Sequence, residues 1–407
     1  MTNSRRLLTA VTGLACAFSS GCGGGGSASK SNVVTQPGQN VAPITVNAGP
    51  AGNYANGAFT SVTVCAPGSS TCQTIDGVLV DTGSTGLRIL SSALTLKLTQ
   101  QESAGGNPVV ECLPFLGSYT WGPVQTADVQ IAGEKASAVP IQVLSDTDFK
   151  VPSGCTGFGV PSADTLGTLG ANGILGVGFF AQDCGGACVL AATNPGLYYE
   201  CPSSGCVLTG ESLAKQVQNP VALFSTDNNG VVIELPAATA PAATLSGSLV
   251  FGIGTQSNNA LGGAAVYTVD RNGSFSVSYK GASYGNSFID SGSNAYFFLD
   301  SSITGLPDCT TDTGFYCPSS PQTLTATNNG LNGTSGMVTF TVANAQTLFA
   351  NPSDNVFGEL GGPSTFPGSG SAQNFFDWGL PFFYGRNVFT AIEGRSTPGG
   401  DGPYWAF

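Results

Sequence analysis

The sequence predicts an all-β chain folded as two duplicated lobes, and three observations carry that prediction. No long segment shows a helical hydrophobic period; Gly210 to Val217 offers only a modest helix. Short apolar and β-branched runs recur, divided by turn clusters such as Asp227-Asn228-Asn229-Gly230 and Thr327-Asn328-Asn329-Gly330. A strand-to-turn pattern also occurs once in each half: Gly77-Val-Leu-Val-Asp81-Thr-Gly-Ser84 returns as Asn286-Ser-Phe-Ile-Asp290-Ser-Gly-Ser293, 209 residues later. That spacing is too long for a solenoid repeat and suits duplicated lobes.

The N-terminus reads as a targeting segment. Arg5 and Arg6 precede an apolar run from Leu7 to Phe18, which is the length of a signal-peptide core and too short to span a bilayer. Ser19-Ser20-Gly21-Cys22 then resembles a bacterial lipoprotein cleavage site, with Cys22 as the lipidated first residue. An ordinary secretory signal with an incidental cysteine is the alternative. The spans expected are a leader over 1–21, a flexible tether over 22–45, a first lobe over 46–235 and a second over 236–407. A lipid on Cys22 would hold the chain in a bacterial envelope, with the outer membrane the expected site.

Strands are expected at Ser61–Cys65, Gly77–Val80, Ala127–Ile131, Ala138–Leu144, Val231–Leu235, Ser248–Phe251, Ala265–Val269, Ser274–Tyr279, Met337–Val342 and Val388–Glu393. Of twelve cysteines, Cys16 lies in the leader and Cys22 at its end. The even remainder reads as disulfides in an exported chain. Cys65/Cys72, Cys201/Cys206 and Cys309/Cys317 are spaced to close short loops, and a four-thiolate zinc site from Cys184, Cys188, Cys201 and Cys206 is the alternative.

Composition narrows the chemistry. Histidine is absent, so no Ser-His or Cys-His pair and no histidine-held metal can exist. A formal charge of -12 makes nucleic acid and anionic membrane surfaces poor partners. Acid–base work in such a chain falls mainly to carboxylates. The repeated motif supplies two, Asp81 and Asp290, each at the end of an apolar strand. Gly83 and Gly292 let the backbone bend toward the carboxylate, and Thr82, Ser84, Ser291 and Ser293 offer hydroxyls to orient it. Two such loops face to face would share one proton between two carboxyls. One member then serves as base toward a water while the other polarises a carbonyl.

These residues resemble the active-site loops of the pepsin-like aspartic peptidases: Val80-Asp81-Thr82-Gly83-Ser84-Thr85-Gly86-Leu87 the first and Phe288-Ile289-Asp290-Ser291-Gly292-Ser293 the second. The resemblance covers about residues 45 to 407 and extends to bacterial lipoproteins of that kind. It implies a bilobal fold with barrel-like lobes and a cleft between them for an extended peptide or protein substrate. It also implies a monomer and no cofactor or metal. It further implies bracing segments behind each loop, Ile174-Leu175-Gly176 in the first lobe and Gly379-Leu380 in the second, where Pro381 stands at the position expected for glycine. A hairpin over the cleft should carry Tyr119, with Trp121 its rival. The expected activity is an aspartic endopeptidase using Asp81 and Asp290. The alternative is a pepsin fold that has lost catalysis and serves as a binding or inhibitor module.

Overall fold

The computed structural model describes residues 34–144, 149–157, 159–364 and 374–407. Cys22 and the expected leader lie outside the described residues. Every strand expected above is present, most of them longer than the apolar run that signalled it. The helical expectation at Gly210–Val217 reduces to one 3-10 turn, Leu213–Lys215, since so short an amphipathic stretch cannot hold a helix without a packed face.

The expected tether ends too late. Val41–Asn47 is a strand that pairs with Gly57–Cys65 on one side and Leu245–Phe251 on the other. Its Val41, Ile44 and Val46 side chains are buried. This strand joins the halves: one sixteen-stranded sheet runs from the first half through Val41–Asn47 into Leu245–Phe251, Gly230–Leu235 and Arg386–Ala391. The boundary at 235/236 therefore falls between two neighbouring strands of one sheet, and the lobes are not separate bodies. A seven-stranded sheet completes the second half. One large core cluster draws on both halves, from Val62, Val80 and Leu175 to Ile289, Trp378 and Phe382.

All ten cysteines expected to pair do so. Cys65–Cys72, Cys201–Cys206 and Cys309–Cys317 close short loops as their spacing suggests. Cys184–Cys188 is a fourth bridge, so the zinc alternative loses all four of its thiolates. Cys112–Cys155, 43 residues apart, is the long-range one. The segment between Cys184 and Cys206 places Tyr198–Glu200 beside the strand Val109–Pro114. The segment after Cys309 forms the hairpin Gln322–Asn329/Ser335–Val342.

Candidate active site

Each repeated loop is built from three strands. Cys72–Asp81 runs parallel to Gly173–Val177, with Val80 opposite Leu175 and Asp81 opposite Gly176. Thr85–Leu90 returns antiparallel along the other edge of Gly173–Val177. In the second half, Ala282–Ile289 runs parallel to Phe376–Trp378 and Tyr296–Phe298 returns on its far edge. A turn whose two arms are separated by a third strand cannot close into an ordinary hairpin, so it projects its aspartate at the sheet's end.

The register corrects the bracing assignment in the second half. Ile289 sits opposite Trp378, so the residue opposite Asp290 is Gly379, the counterpart of Gly176. Asp290 N–H donates to the Trp378 carbonyl, 3.0 Å. The brace is thus Asp377-Trp378-Gly379, matching Ile174-Leu175-Gly176 residue for residue. Pro381 does not replace a required glycine. Both glycines are pressed against their loops: a Cβ at Gly379 would lie 2.1 Å from the Ala295 carbonyl oxygen, and one at Gly176 would lie 2.7 Å from the Thr85 nitrogen. Leu380 lies just beyond, and its N–H donates to the Ser293 carbonyl at 2.7 Å.

The two loops meet. Thr82 N–H donates to Ser291 Oγ (3.1 Å), and Ser291 N–H donates to Thr82 Oγ1 (2.9 Å). Ser291 Oγ–H donates onward to the Val80 carbonyl, 2.7 Å. These bonds are buried, and they pin the loops to each other rather than only to their own sheets. Asp81 Oδ1 accepts from Gly83 N–H at 2.8 Å and its Oδ2 from Ser84 Oγ at 2.6 Å. Asp290 Oδ1 accepts from Gly292 N–H at 2.7 Å and its Oδ2 lies 3.0 Å from Ser293 Oγ. Gly83 N–H also reaches Asp290 Oδ1, 3.1 Å. One amide therefore touches both carboxyl groups, and a Cβ on Gly83 would strike the Asp290 carboxyl at 2.6 Å. Burial raises the Asp290 carboxyl well above its ordinary 3.8, and the charges of Asp81 and Asp377 and a hydrogen bond with Asp81 raise it further. Two carboxyls in contact away from water bind a proton that either alone would release.

A cleft of about 890 Å³ opens over this pair. Its walls include Phe180, Phe288, Phe297 and Trp405, with Asn272, Asn286 and Asn294 among the polar positions; none of its described lining residues is Lys or Arg. The hairpin Val109–Pro114/Tyr119–Ile131 overhangs it with a tip of Phe115, Leu116, Gly117 and Ser118. Tyr119 and Trp121 do not line the cleft. Two apart on one strand, they face the same side. There they pack against the Cys112–Cys155 bridge and Tyr199, and Trp121 Nε1–H donates to the Phe149 carbonyl at 2.9 Å. The tyrosine that does line the cleft is Tyr54. Burial raises its phenol strongly, helped by the charges of Asp81 and Asp290.

Two further features escape local reading. Asn56 takes a left-handed conformation (φ 53) and is fully buried. Its side chain donates to the Asn294 and Phe357 carbonyls and accepts from Phe357 N–H and Tyr384 Oη, tying the Tyr54 segment to the second half. Arg88, buried four residues after Ser84, pairs with Glu111 on the overhanging hairpin and with Asp183, both at 2.9 Å. Burial alone would lower its guanidinium; the two carboxylates outweigh that and keep it charged. A lone arginine in the apolar run Leu87-Arg88-Ile89-Leu90 was the available signal, because a charge there needs a partner.

The fold compares with that of the aspartic proteinase from Irpex lacteus: the similarity covers 90% of this chain and 96% of that one, with TM-score 0.51 and 16% sequence identity. At that identity the likeness establishes the fold, an all-β bilobal pepsin-like architecture. No curated protein matches the chain. A family model, described as a protein of unknown function (DUF3443), matches residues 36–407. The chain, with its paired-loop cleft, belongs to that family.

Proposed function

We propose that the protein is an aspartic endopeptidase in which Asp81 and Asp290 act as the catalytic pair on an extended peptide lying in the cleft. The observation that carries this reading is the single Gly83 amide within 2.8 Å of one carboxyl and 3.1 Å of the other. Only adjacent carboxyls can share a donor so, and adjacent buried carboxyls hold one proton between them. The ionised member takes a proton from a water as that water attacks the peptide carbonyl. The protonated member donates to the carbonyl oxygen, and a proton later passes to the leaving amine. Thr82 and Ser291 keep the loops in register while Ser84 and Ser293 orient the carboxyls. The aromatic walls, with no Lys or Arg among the described lining residues, suit apolar side chains.

The alternative of a degenerate binding module loses one of its supports, because Gly379 supplies the bracing glycine that Pro381 had seemed to displace. As to place, the basic-then-apolar leader and Cys22 support a bacterial envelope lipoprotein, with lipid on Cys22 its only membrane contact. Mass spectrometry of the mature N-terminus tests that part; an unmodified chain cleaved elsewhere refutes it.

Hydrolysis of denatured protein by the soluble form beginning near residue 34, assayed from about pH 3 to 6, tests the catalytic reading. Wild type should cleave, and Asp81→Asn should lose about 10³-fold in kcat/KM, within the range general acid–base catalysis supplies. Equal rates in the two proteins would refute it. Pepstatin should raise the melting temperature of wild type but not of Asp290→Asn.

A further inference from the structure

Ser293 lies between two carboxyl groups. Its Oγ is 3.0 Å from Asp290 Oδ2 and 2.6 Å from Asp377 Oδ2. A hydroxyl has one proton to donate and lone pairs to accept with. It cannot donate to both, so if both contacts are hydrogen bonds, one carboxyl must carry the proton of its own bond. Asp377 is the better candidate. It is 1% exposed, and its other oxygen, Oδ1, has no partner among the described residues. Asp290 in contrast accepts two backbone N–H groups on Oδ1, the pattern of an ionised carboxylate. A bare, buried carboxylate oxygen is costly, whereas the carbonyl oxygen of a neutral acid left unpaired costs far less.

We propose that Asp377 is a protonated third carboxyl of the active site, a positioning residue that donates to Ser293 and so commits the Ser293 hydroxyl to Asp290. The proposal rests on the peptidase reading for its role, but not for the location of the proton. Its surroundings agree. Asp377 sits on Phe376–Trp378 between Ile289-side and Tyr296–Phe298 strands, opposite Phe288 and Phe297. The groups acting on it are Ser293 and the carboxylate of Asp81, with no cation among them; burial and Asp81 raise its carboxyl well above 3.8 while the bond from Ser293 opposes them. Asp290 is the remaining titratable neighbour, reached through Ser293 and influenced by Asp377 in turn. The segment 365–373 that precedes the strand contains no ionisable residue.

The cluster then holds two protons over three carboxyls while active: one on Asp377 and one shared by Asp81 and Asp290. Its titration belongs to the cluster as a whole. Asparagine at 377 would preserve a neutral donor to Ser293, whereas isoleucine, the residue at the matching place in the first half, would remove it.

The test has one arm that needs no activity. Infrared difference spectra of wild type minus Asp377→Asn, taken near pH 6 where ordinary carboxyls are ionised, should show loss of a protonated-carboxyl band. Loss of a carboxylate band instead overturns the proposal, whether or not the protein cleaves anything. Asp377→Ile gives the same readout should the asparagine variant not fold. If hydrolysis is present, Asp377→Asn should retain more of kcat than Asp377→Ile, and the alkaline limb of its pH profile should not move downward. Asp377→Ile should lose about fivefold in kcat, near the worth of one hydrogen bond, with KM little changed. A downward move of the alkaline limb in Asp377→Asn overturns the proposal, since it would mean that a negative charge at 377 had been holding the shared proton.

Discussion

Ile174 and Asp377 occupy the same place in two copies of one design. Each lies two residues before a glycine that presses on its active-site loop, on a strand running parallel to the strand that ends in the aspartate. In the first half the site is filled by an apolar side chain, and Ser84 has a single carboxyl to serve, Asp81. In the second half the site holds a carboxyl, and Ser293 serves two. The backbone tolerates the exchange because the three-strand scaffold is the same. The electrostatics do not stay the same: Asp290 is raised in part by a neighbour that has no counterpart beside Asp81. Duplication supplied the symmetry of the loops, and a single buried substitution separates their chemistry.

Three measurements would break or sharpen that comparison. The largest effect is expected at the bracing glycines. Gly379→Ala forces a methyl to within 2.1 Å of a backbone oxygen that cannot swing aside, and should cost about 3 kcal/mol or more. Gly176→Ala, whose nearest contact is 2.7 Å, should cost less, about 2 kcal/mol. Urea unfolding of both variants reads this directly, and equal costs would mean that the two braces bear equally on their loops.

A smaller difference is expected between the serines. Ser84→Ala removes one hydroxyl from Asp81, about 1 kcal/mol in unfolding free energy. Ser293→Ala strips a partner from both Asp290 and Asp377 and should cost about twice that. If the two losses match near pH 5, Ser293 is not the link between two carboxyls.

The smallest effect concerns pH. Asp290 and Asp377 both have carboxyls raised in the folded state. A raised acid binds its proton more tightly folded than unfolded, so its contribution is fully present below the ordinary carboxyl range near 3.8 and is lost as pH rises through the folded value. Thermal melts should therefore favour Asp377→Asn over wild type increasingly from about pH 4 to pH 7. A constant gap across that range would place no titration at residue 377.

Much of the fold was legible because strands and tight turns write themselves locally. Alternating apolar runs mark pleated segments, and Asp-Thr-Gly-Ser marks a turn whose glycine and hydroxyls fold back on the carboxylate. Short cysteine spacings likewise mark loops that close on themselves. The misreadings share one cause. Tyr119 and Trp121 sit near a hairpin tip in sequence, but which face they present depends on the partner strand and on what covers it, and the Cys112–Cys155 bridge with Tyr199 claimed that face. The brace was placed two residues off because Asp377 broke the expected apolar pattern, while pairing with Ala282–Ile289 kept the register.

Asp81 and Asp290, the turns that present them and the absence of any histidine chemistry follow from the order of residues alone, since each depends on neighbours within a few positions. Packing decided the rest. That one amide touches both carboxyls, that Tyr54 rather than Tyr119 enters the cleft, that Asn56 locks the halves and that Asp377 stands behind Ser293 are contacts across 84 to 328 residues. No local pattern encodes such distances; they arise when two sheets bury their apolar faces together and the polar groups trapped between them must find one another.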